Sequence, residues 1–214
     1  MSAMVFMADS ERAAKLAKDH QLDNVGLHLN FSEAFTNRSC PETLKEHHKR
    51  IVGFLRRNKY AQLVYNPLLR KAFACSYLAQ MEEFVRLFEK SPSHIDGHHH
   101  MHLCANLLLS NLVPVGMKIR RNFSFWPGEK SRLNRAYRGL VDYWLIRRYR
   151  LADYFFDLTQ CIQGKKLDRV VALAKSSNVE LMTHPVVNEE EEYLMSDEFK
   201  VILQRLDIGG YALV

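Results

Sequence analysis

Long apolar runs are absent from this sequence of 214 residues. No stretch approaches the ~18 consecutive apolar residues that a membrane-spanning helix needs. The opening MSAMVFMADSER lacks the basic start and the longer apolar stretch of a signal peptide. We therefore expect no membrane partner and a cytoplasmic location. Hydrophobic residues make up 47% of the chain and charged residues 25%, which is ordinary for a globular protein. The length predicts a single domain over 1–214.

Cysteine is scarce and widely spaced. The four cysteines contain no CxxC pair, which argues against both a disulfide framework and a thiolate metal site. We expect thiols that are buried or chemically indifferent. The positions are Cys40, Cys75, Cys104 and Cys161.

Acidic residues are few between residues 118 and 150, where ten basic residues stand against Glu129 and Asp142. Such a segment could bind the phosphates of a nucleic acid. However, Leu133, Tyr137 and Leu140 recur within it at helical spacing. The basic face of an amphipathic helix explains this pattern without a ligand, so we do not expect nucleic acid as a partner.

Short β-leaning apolar runs alternate with longer helical segments along the chain. This alternation predicts an α/β fold built from βα units around parallel strands. The segment 31–42 is polar and predicts a loop at the C-terminal end of a strand, where such folds build their sites. The predicted strands are 2–7, 24–29, 94–98, 117–121, 152–156 and 179–182. The predicted helices are 10–19, 77–90, 103–112, 132–148, 166–175 and 196–206.

Five of the ten histidines fall within HIDGHHHMH at 94–102. A cluster of this density favours a metal site, because imidazole nitrogen binds Zn²⁺ and similar ions well. A solvent-exposed tract like a tag is the alternative. If the segment is extended, His94, Asp96 and His98 share one face, and His94 lies ~13 Å from His98 at the backbone. We therefore expect this strand to supply one metal ligand.

Two further histidines end predicted strands. His28 lies in VGLHLN, and His184 lies in ELMTHP, where the following proline disfavours a helix. A buried histidine needs a polar partner or a metal, and taken alone His28 would more often be a satisfied core residue. His47 and His48, in the charged run KEHHKR, are predicted to be exposed helix positions without a role.

Three of these motifs occur together in a known family. GLHLN at 26–30, HIDGHHHMH at 94–102 and ELMTHP at 180–185 resemble, in order and spacing, the YdjC/ChbG carbohydrate deacetylases. MKIRR at 117–121 and ADYFFD at 152–157 are similar to the family's intervening strands. The resemblance covers nearly the whole chain. It implies a (β/α) barrel of the deacetylase type with fewer than eight regular strands.

The resemblance also implies an activity, which is the hydrolysis of N-acetyl groups on sugars such as chito-oligosaccharides. One divalent ion, Mg²⁺ or Zn²⁺, would serve as cofactor, with an acetylated sugar as substrate. A homodimer is an assembly the chain could form, because loss of the family's first strand would leave backbone edges unpaired. Carried over by motif, His28 and His98 would bind the metal. The candidate catalytic residues are His184, as general acid, and Asp96, as an inward-pointing carboxylate that orients a ligating imidazole.

Trp126, in FSFWPG, offers an aromatic ring on which a sugar could stack, and core packing of the same ring is the alternative. The run of histidines carries its own expectations. Because successive side chains alternate on a strand, His99 should point away from the site, and His102 should lie on the following helix. The rings of His28 and His98 should lie within ~8 Å of each other if they share an ion.

One departure from the family is serious. Its first strand ends in an Asp-Asp pair that supplies a metal ligand and the catalytic base, and no such pair occurs in this sequence. Asp9 follows the wrong strand to replace it. The resemblance therefore implies that the first strand is missing, that the domain is N-terminally incomplete and that the chain is inactive or very slow. The alternatives are a non-catalytic sugar- or metal-binding barrel and a metal-dependent hydrolase of another ester class.

Overall fold

The computed structural model describes residues 1–184 and 186–211. Its backbone contacts divide the chain into two compact units, Met1–Ile119 and Arg120–Val214. The strands are β1 (Ser2–Ala3), β2 (Gly26–Leu29), β3 (Ile95–Gly97), β4 (Tyr154–Asp157) and β5 (Val179–Met182). The helices are α1 (Ser10–Asp19), α2 (Glu42–Leu55), α3 (Arg70–Phe88), α4 (Ala105–Leu108), α5 (Arg132–Leu145), α6 (Leu158–Gln163), α7 (Leu167–Ala174), α8 (Asn188–Leu194) and α9 (Asp197–Leu203). Short 3₁₀ segments cover Ala61–Leu63, Pro67–Leu69 and His98–Leu103.

The first unit is built on a parallel sheet in the order β1-β2-β3. Leu27 and Leu29 are fully buried, as expected for a strand of a parallel sheet that is covered by helices. The register pairs Leu27 with Ile95 and His28 with Asp96. Two polar side chains therefore stand next to each other at the C-terminal ends of adjacent strands.

Helix α3 provides much of the apolar surface of this unit. It packs against β2 and α2 and buries Phe73, Tyr77 and Phe84. It ends at Phe88, because Glu89 adopts a left-handed conformation (φ 56°) while its N–H still reaches the carbonyl oxygen of Val85. This packing holds the loop that follows β2 against the helices.

The second unit contains the parallel pair β4-β5, whose register joins Phe155 to Glu180 and Asp157 to Met182. The side chains of Phe156, Cys161 and Val170 form a small buried cluster. Helix α5 begins at a serine cap, because the Ser131 hydroxyl oxygen accepts the Asn134 N–H. This unit places His184 just after the end of β5.

The predicted mixture of helices and parallel strands is confirmed, and the barrel stays a prediction. Segment 117–121 is not a regular strand: Lys118 and Ile119 are isolated bridge residues, and Ile119 pairs with Ile95. The strand predicted over 94–98 is shorter at both ends. Helices α6 and α8 lie outside the segments predicted as helical, and α2 was predicted only through the helix positions of His47 and His48.

The apolar positions of α5 are not packed as an amphipathic helix predicts. Leu133 is 83% exposed and Leu140 is 67% exposed, so these apolar side chains accompany the basic ones at the surface. Elsewhere, the four cysteines are free. Burial raises the pKa of Cys104 to about 12 and that of Cys161 to about 11, so both are thiols at neutral pH. Within 1–184 and 186–211, no helix combines the length and the apolar character needed to cross a membrane.

Candidate active site

The pairing of β2 with β3 joins His28 to Asp96. The Nδ1 atom of His28 lies 2.9 Å from Oδ1 of Asp96, whose side chain is fully buried. The Ser2 hydroxyl donates to Oδ2 of the same carboxylate at 3.1 Å. Because a carboxylate only accepts, the ring proton of His28 lies on Nδ1. The lone pair of Nε2 is then free to bind a metal ion, which is the usual arrangement of a carboxylate behind a ligating histidine.

His94 supports the His28–Asp96 pair through Ser2. Its side chain is buried, with Nε2 3.0 Å from the Ser2 hydroxyl and Nδ1 2.9 Å from the Ser93 hydroxyl. Both nitrogens therefore have protein partners, so this ring is a structural residue. It also lies directly against the backbone of β2 at Gly26.

This close approach makes Gly26 a sensitive position. A Cβ atom at Gly26 would lie 2.3 Å from Cε1 of the His94 ring. We therefore expect Gly26→Ala to lower the free energy of unfolding by about 1–3 kcal/mol, as overpacking does in well-packed interiors. Denaturant unfolding measures this change. The matched control is Gly53→Ala, at an exposed position of α2, where no atom lies within 4 Å of the added Cβ. That variant should gain up to about 1 kcal/mol, because alanine favours a helix. Equal stability of Gly26→Ala and the parent chain would contradict this packing.

The run of histidines leaves the strand earlier than predicted. Strand β3 ends at Gly97, and a 3₁₀ segment begins at His98. Within this segment His99 (φ 51°) and His100 (φ 57°) both adopt left-handed backbone conformations. Each such non-glycine residue costs about 1–3 kcal/mol, and strain of this kind is concentrated at functional sites.

His28 and His98 lie close together. Their ring centroids are 5.6 Å apart and the rings are nearly perpendicular. This separation is within the ~8 Å set as a limit for two histidines that share an ion. Nε2 of His98 is buried and has no hydrogen-bond partner among the described residues. An orphaned imidazole nitrogen beside a second available one fits a divalent cation, because such a nitrogen is costly to bury without a partner.

His99 contradicts its prediction. The expectation that it points away from the site is wrong, because the left-handed residues break the strand alternation on which the prediction depended. Its ring centroid lies 4.0 Å from that of His98. Ligand atoms of Glu33, His98 and His99 all lie within 4.8 Å of one another. His102, which was expected on the following helix, is buried and lies in the 3₁₀ segment that precedes α4.

Glu33 is a residue that sequence reasoning missed. Its carboxylate oxygen Oε1 lies 3.3 Å from Nε2 of His98, without the angles of a hydrogen bond. The loop that carries it is fixed by Asn30, whose side-chain oxygen accepts the N–H groups of Ser32 and Glu33. The Asn30 side-chain amide also donates to the carbonyl oxygen of Glu33 at 2.9 Å. A carboxylate three residues after a strand-end asparagine was the available signal.

His48 also holds this loop, which corrects its prediction as an exposed helix position. It is buried on α2, and its ring stacks on Phe35 with centroids 3.8 Å apart. Its Nε2–H donates to the carbonyl oxygen of Glu33 at 2.7 Å, and Nδ1 lies 3.2 Å from the Ser76 hydroxyl. Burial lowers the pKa of His48, so the ring is neutral near pH 7 and keeps one donor and one acceptor.

In the second unit, His184 adjoins a buried carboxylate. Nδ1 of His184 lies 3.5 Å from Oε1 of Glu190, which is fully buried. The same carboxylate accepts the His184 N–H and the N–H and hydroxyl of Thr159. Burial alone would raise the pKa of Glu190, but these hydrogen bonds hold it below its usual value. Asp157 completes a second group of potential metal ligands. The neighbouring Pro185 lies outside the described residues.

Trp126 is half-buried against the cluster of the second unit. Its ring stacks on Phe156 with centroids 4.7 Å apart, and the Arg169 guanidinium lies 4.5 Å from the ring centroid. These contacts favour the packing alternative, and a role in sugar binding stays a prediction.

Comparison with known proteins agrees with these motifs. A protein of Vibrio campbellii named Carbohydrate deacetylase is 29% identical over 210 residues, which cover 96% of this chain and 73% of that protein. A Chitooligosaccharide deacetylase of Proteus mirabilis is 25% identical over 186 residues, covering 86% of this chain and 68% of that protein. A Chitooligosaccharide deacetylase of Serratia marcescens is 29% identical over 105 residues, covering 48% and 38% respectively. The model of the family described as YdjC-like protein matches residues 1–205. The chain therefore belongs to the YdjC-like protein family.

Proposed function

We propose that this protein is a metal-dependent hydrolase that removes N-acetyl groups from carbohydrates of the chito-oligosaccharide class. Family membership and the names of the relatives support the reaction and the substrate class. The observation that carries the metal dependence is the pair of histidine rings, one backed by buried Asp96 and the other with an orphaned buried nitrogen.

His28 and His98 would hold one divalent ion, Mg²⁺ or Zn²⁺. When bound, such an ion polarises the acetyl carbonyl and lowers the pKa of a bound water toward ~7. Asp96 acts through His28 and is a positioning residue. Its two oxygens already contact the His28 ring and the Ser2 hydroxyl, and its side chain is fully buried, so it does not offer a surface to substrate.

We assign His184 the role of general acid, which protonates the leaving amine. The motif that it matches supports this role, and the neighbouring Glu190 supports it physically. A buried carboxylate beside Nδ1 can accept a hydrogen bond from that nitrogen and so fix the orientation of the ring. Glu190 is thus a positioning residue for His184.

The roles of His184 and Glu190 predict two effects of different size. His184→Ala should lower kcat for acetate release by about 10²–10⁴-fold, the usual contribution of a positioned acid. Glu190→Gln should lower kcat less and leave KM near its parental value, because the ring loses the carboxylate that orients it. The control is Glu191→Gln, an exposed position on the same helix. If Glu190→Gln left kcat at its parental value, the positioning role would be wrong.

The rate of this chain is expected to be low. The sequence contains no Asp-Asp pair to supply the base, and losing a positioned base costs about 10²–10⁴-fold. The test is acetate release from N-acetylated chito-oligosaccharides, with the Vibrio campbellii relative as the benchmark. We expect slow release that exceeds the uncatalysed rate. Sugar binding without any acetate release would favour the non-catalytic alternative, and hydrolysis of another ester in its place would favour the other hydrolase class.

A further inference from the structure

We propose that Glu33 and His99 are additional ligands of the metal ion held by His98, so that the loop after β2 supplies the anionic ligand of the site. This inference rests on the proposed function for the identity of the ion. The histidine motif alone assigns no metal-binding role to either residue.

The geometry brings three ligand types to one place. The ligand atoms of Glu33, His98 and His99 lie within 4.8 Å of one another, a spacing that one ion at ordinary bond lengths of about 2.0–2.2 Å can bridge after small side-chain movements. Nε2 of His98 faces the Glu33 carboxylate at 3.3 Å without a hydrogen bond. The Ser32 hydroxyl oxygen, 3.0 Å from Nδ1 of His99, can accept a hydrogen bond from Nδ1–H, which leaves the Nε2 lone pair available.

Charge gives a second reason. Two neutral imidazoles leave a divalent ion without a compensating negative charge, and the carboxylate of Asp96 is already engaged behind His28. Glu33 has the carboxylate that reaches Nε2 of His98. Its side chain is 47% exposed, so it can adjust to an entering ion.

The backbone supports the same assignment. Four hydrogen bonds with Asn30 and His48 hold Ser32 and Glu33 in place, and loops held by a rigid scaffold often carry binding residues. On the opposite side, the left-handed conformation of His99 turns its ring toward His98 where an extended strand would turn it away.

The test is calorimetric titration of the metal-free full chain with Zn²⁺ alone. We expect one ion per chain, and we expect Glu33→Gln and His99→Asn each to raise the Kd by more than about 10-fold, since even residues behind the ligands are worth 10–100-fold. Asparagine is chosen because it tolerates the left-handed backbone. The matched controls are His100→Asn, which has the same backbone conformation outside the ligand group, and Glu42→Gln, an exposed carboxylate. Both controls should bind Zn²⁺ like the parent chain.

Thermal unfolding of each variant with and without Zn²⁺ separates loss of binding from loss of fold. A folded variant that loses its ligand keeps its metal-free Tm and gains less on addition of Zn²⁺. Unchanged Kd values for both Glu33→Gln and His99→Asn would overturn the inference, as would a parent chain that binds no Zn²⁺. Acetate release is the separate readout for the proposed function. If both variants bind Zn²⁺ more weakly but the parent chain releases no acetate, the metal site is retained and the deacetylase function is rejected. If acetate release depends on the metal but the Kd values are unchanged, the deacetylase function is retained and the two additional ligands are rejected.

Discussion

His98→Ala should abolish metal-dependent acetate release, with a fall of about 10³-fold or more. A metal ion contributes several kcal/mol to stabilising the transition state of such a reaction, and each 1.36 kcal/mol is worth about tenfold in rate. His98 is the residue on which this effect depends most, because its ring adjoins both His28 and the Glu33 carboxylate. The variant should remain folded, because the His98 side chain is 25% exposed and its Nε2 makes no hydrogen bond with the described residues.

The measurement is kcat/KM for acetate release at saturating Zn²⁺, together with the Zn²⁺ Kd. The matched control is His20→Ala, which removes an imidazole from the exposed C-terminal end of α1. That variant should match the parent chain in both quantities. Retention of parental activity by His98→Ala, in protein with an unchanged Tm, would remove His98 from the metal site.

Asp96→Asn should weaken metal binding by about 10–100-fold and also lower stability. The first effect arises because residues that orient a ligating histidine tune its basicity and its ring orientation. The second arises because Asp96 is fully buried and its oxygens accept hydrogen bonds from the His28 ring and the Ser2 hydroxyl. A buried group left without its proper partner costs about 1–3 kcal/mol.

Denaturant unfolding and Zn²⁺ titration check the two effects separately. Asp9→Asn is the control, since Asp9 is exposed and its side chain does not cap α1. It should leave the Kd unchanged. If Asp96→Asn lost stability but bound Zn²⁺ with parental affinity, Asp96 would be a structural residue with no influence on the ion.

Sequence patterns located the elements that carry the site better than they located its side chains. The boundaries of α1 and β5 were predicted as observed, because hydrophobic spacing and the flanking charges agree there. The adjacency of His28 and Asp96 follows from the pairing of two predicted strands. To predict this adjacency, only the register of the two strands is needed in addition, and burial of the strands fixes that register.

The errors arise where tertiary packing outweighs local pattern. KEHHKR indicates an exposed segment, yet contacts with Phe35 and Ser76 bury His48. The strand alternation assumed for 94–98 ends at Gly97, so it gave the wrong direction for His99. The position of Glu33 three residues after Asn30 is a sequence signal, but it does not show that Glu33 approaches His98, because that approach depends on a loop shaped by Asn30 and His48. The barrel and the single domain stay predictions.

The central claim is that this chain is a metal-dependent carbohydrate deacetylase. It is tested most directly by acetate release from N-acetylated chito-oligosaccharides after chelation and again after Zn²⁺ or Mg²⁺ is restored. We predict slow release that chelation abolishes and one of the two ions restores, with His98→Ala inactive under both conditions. Release that survives chelation, or that His98→Ala retains, would contradict the claim.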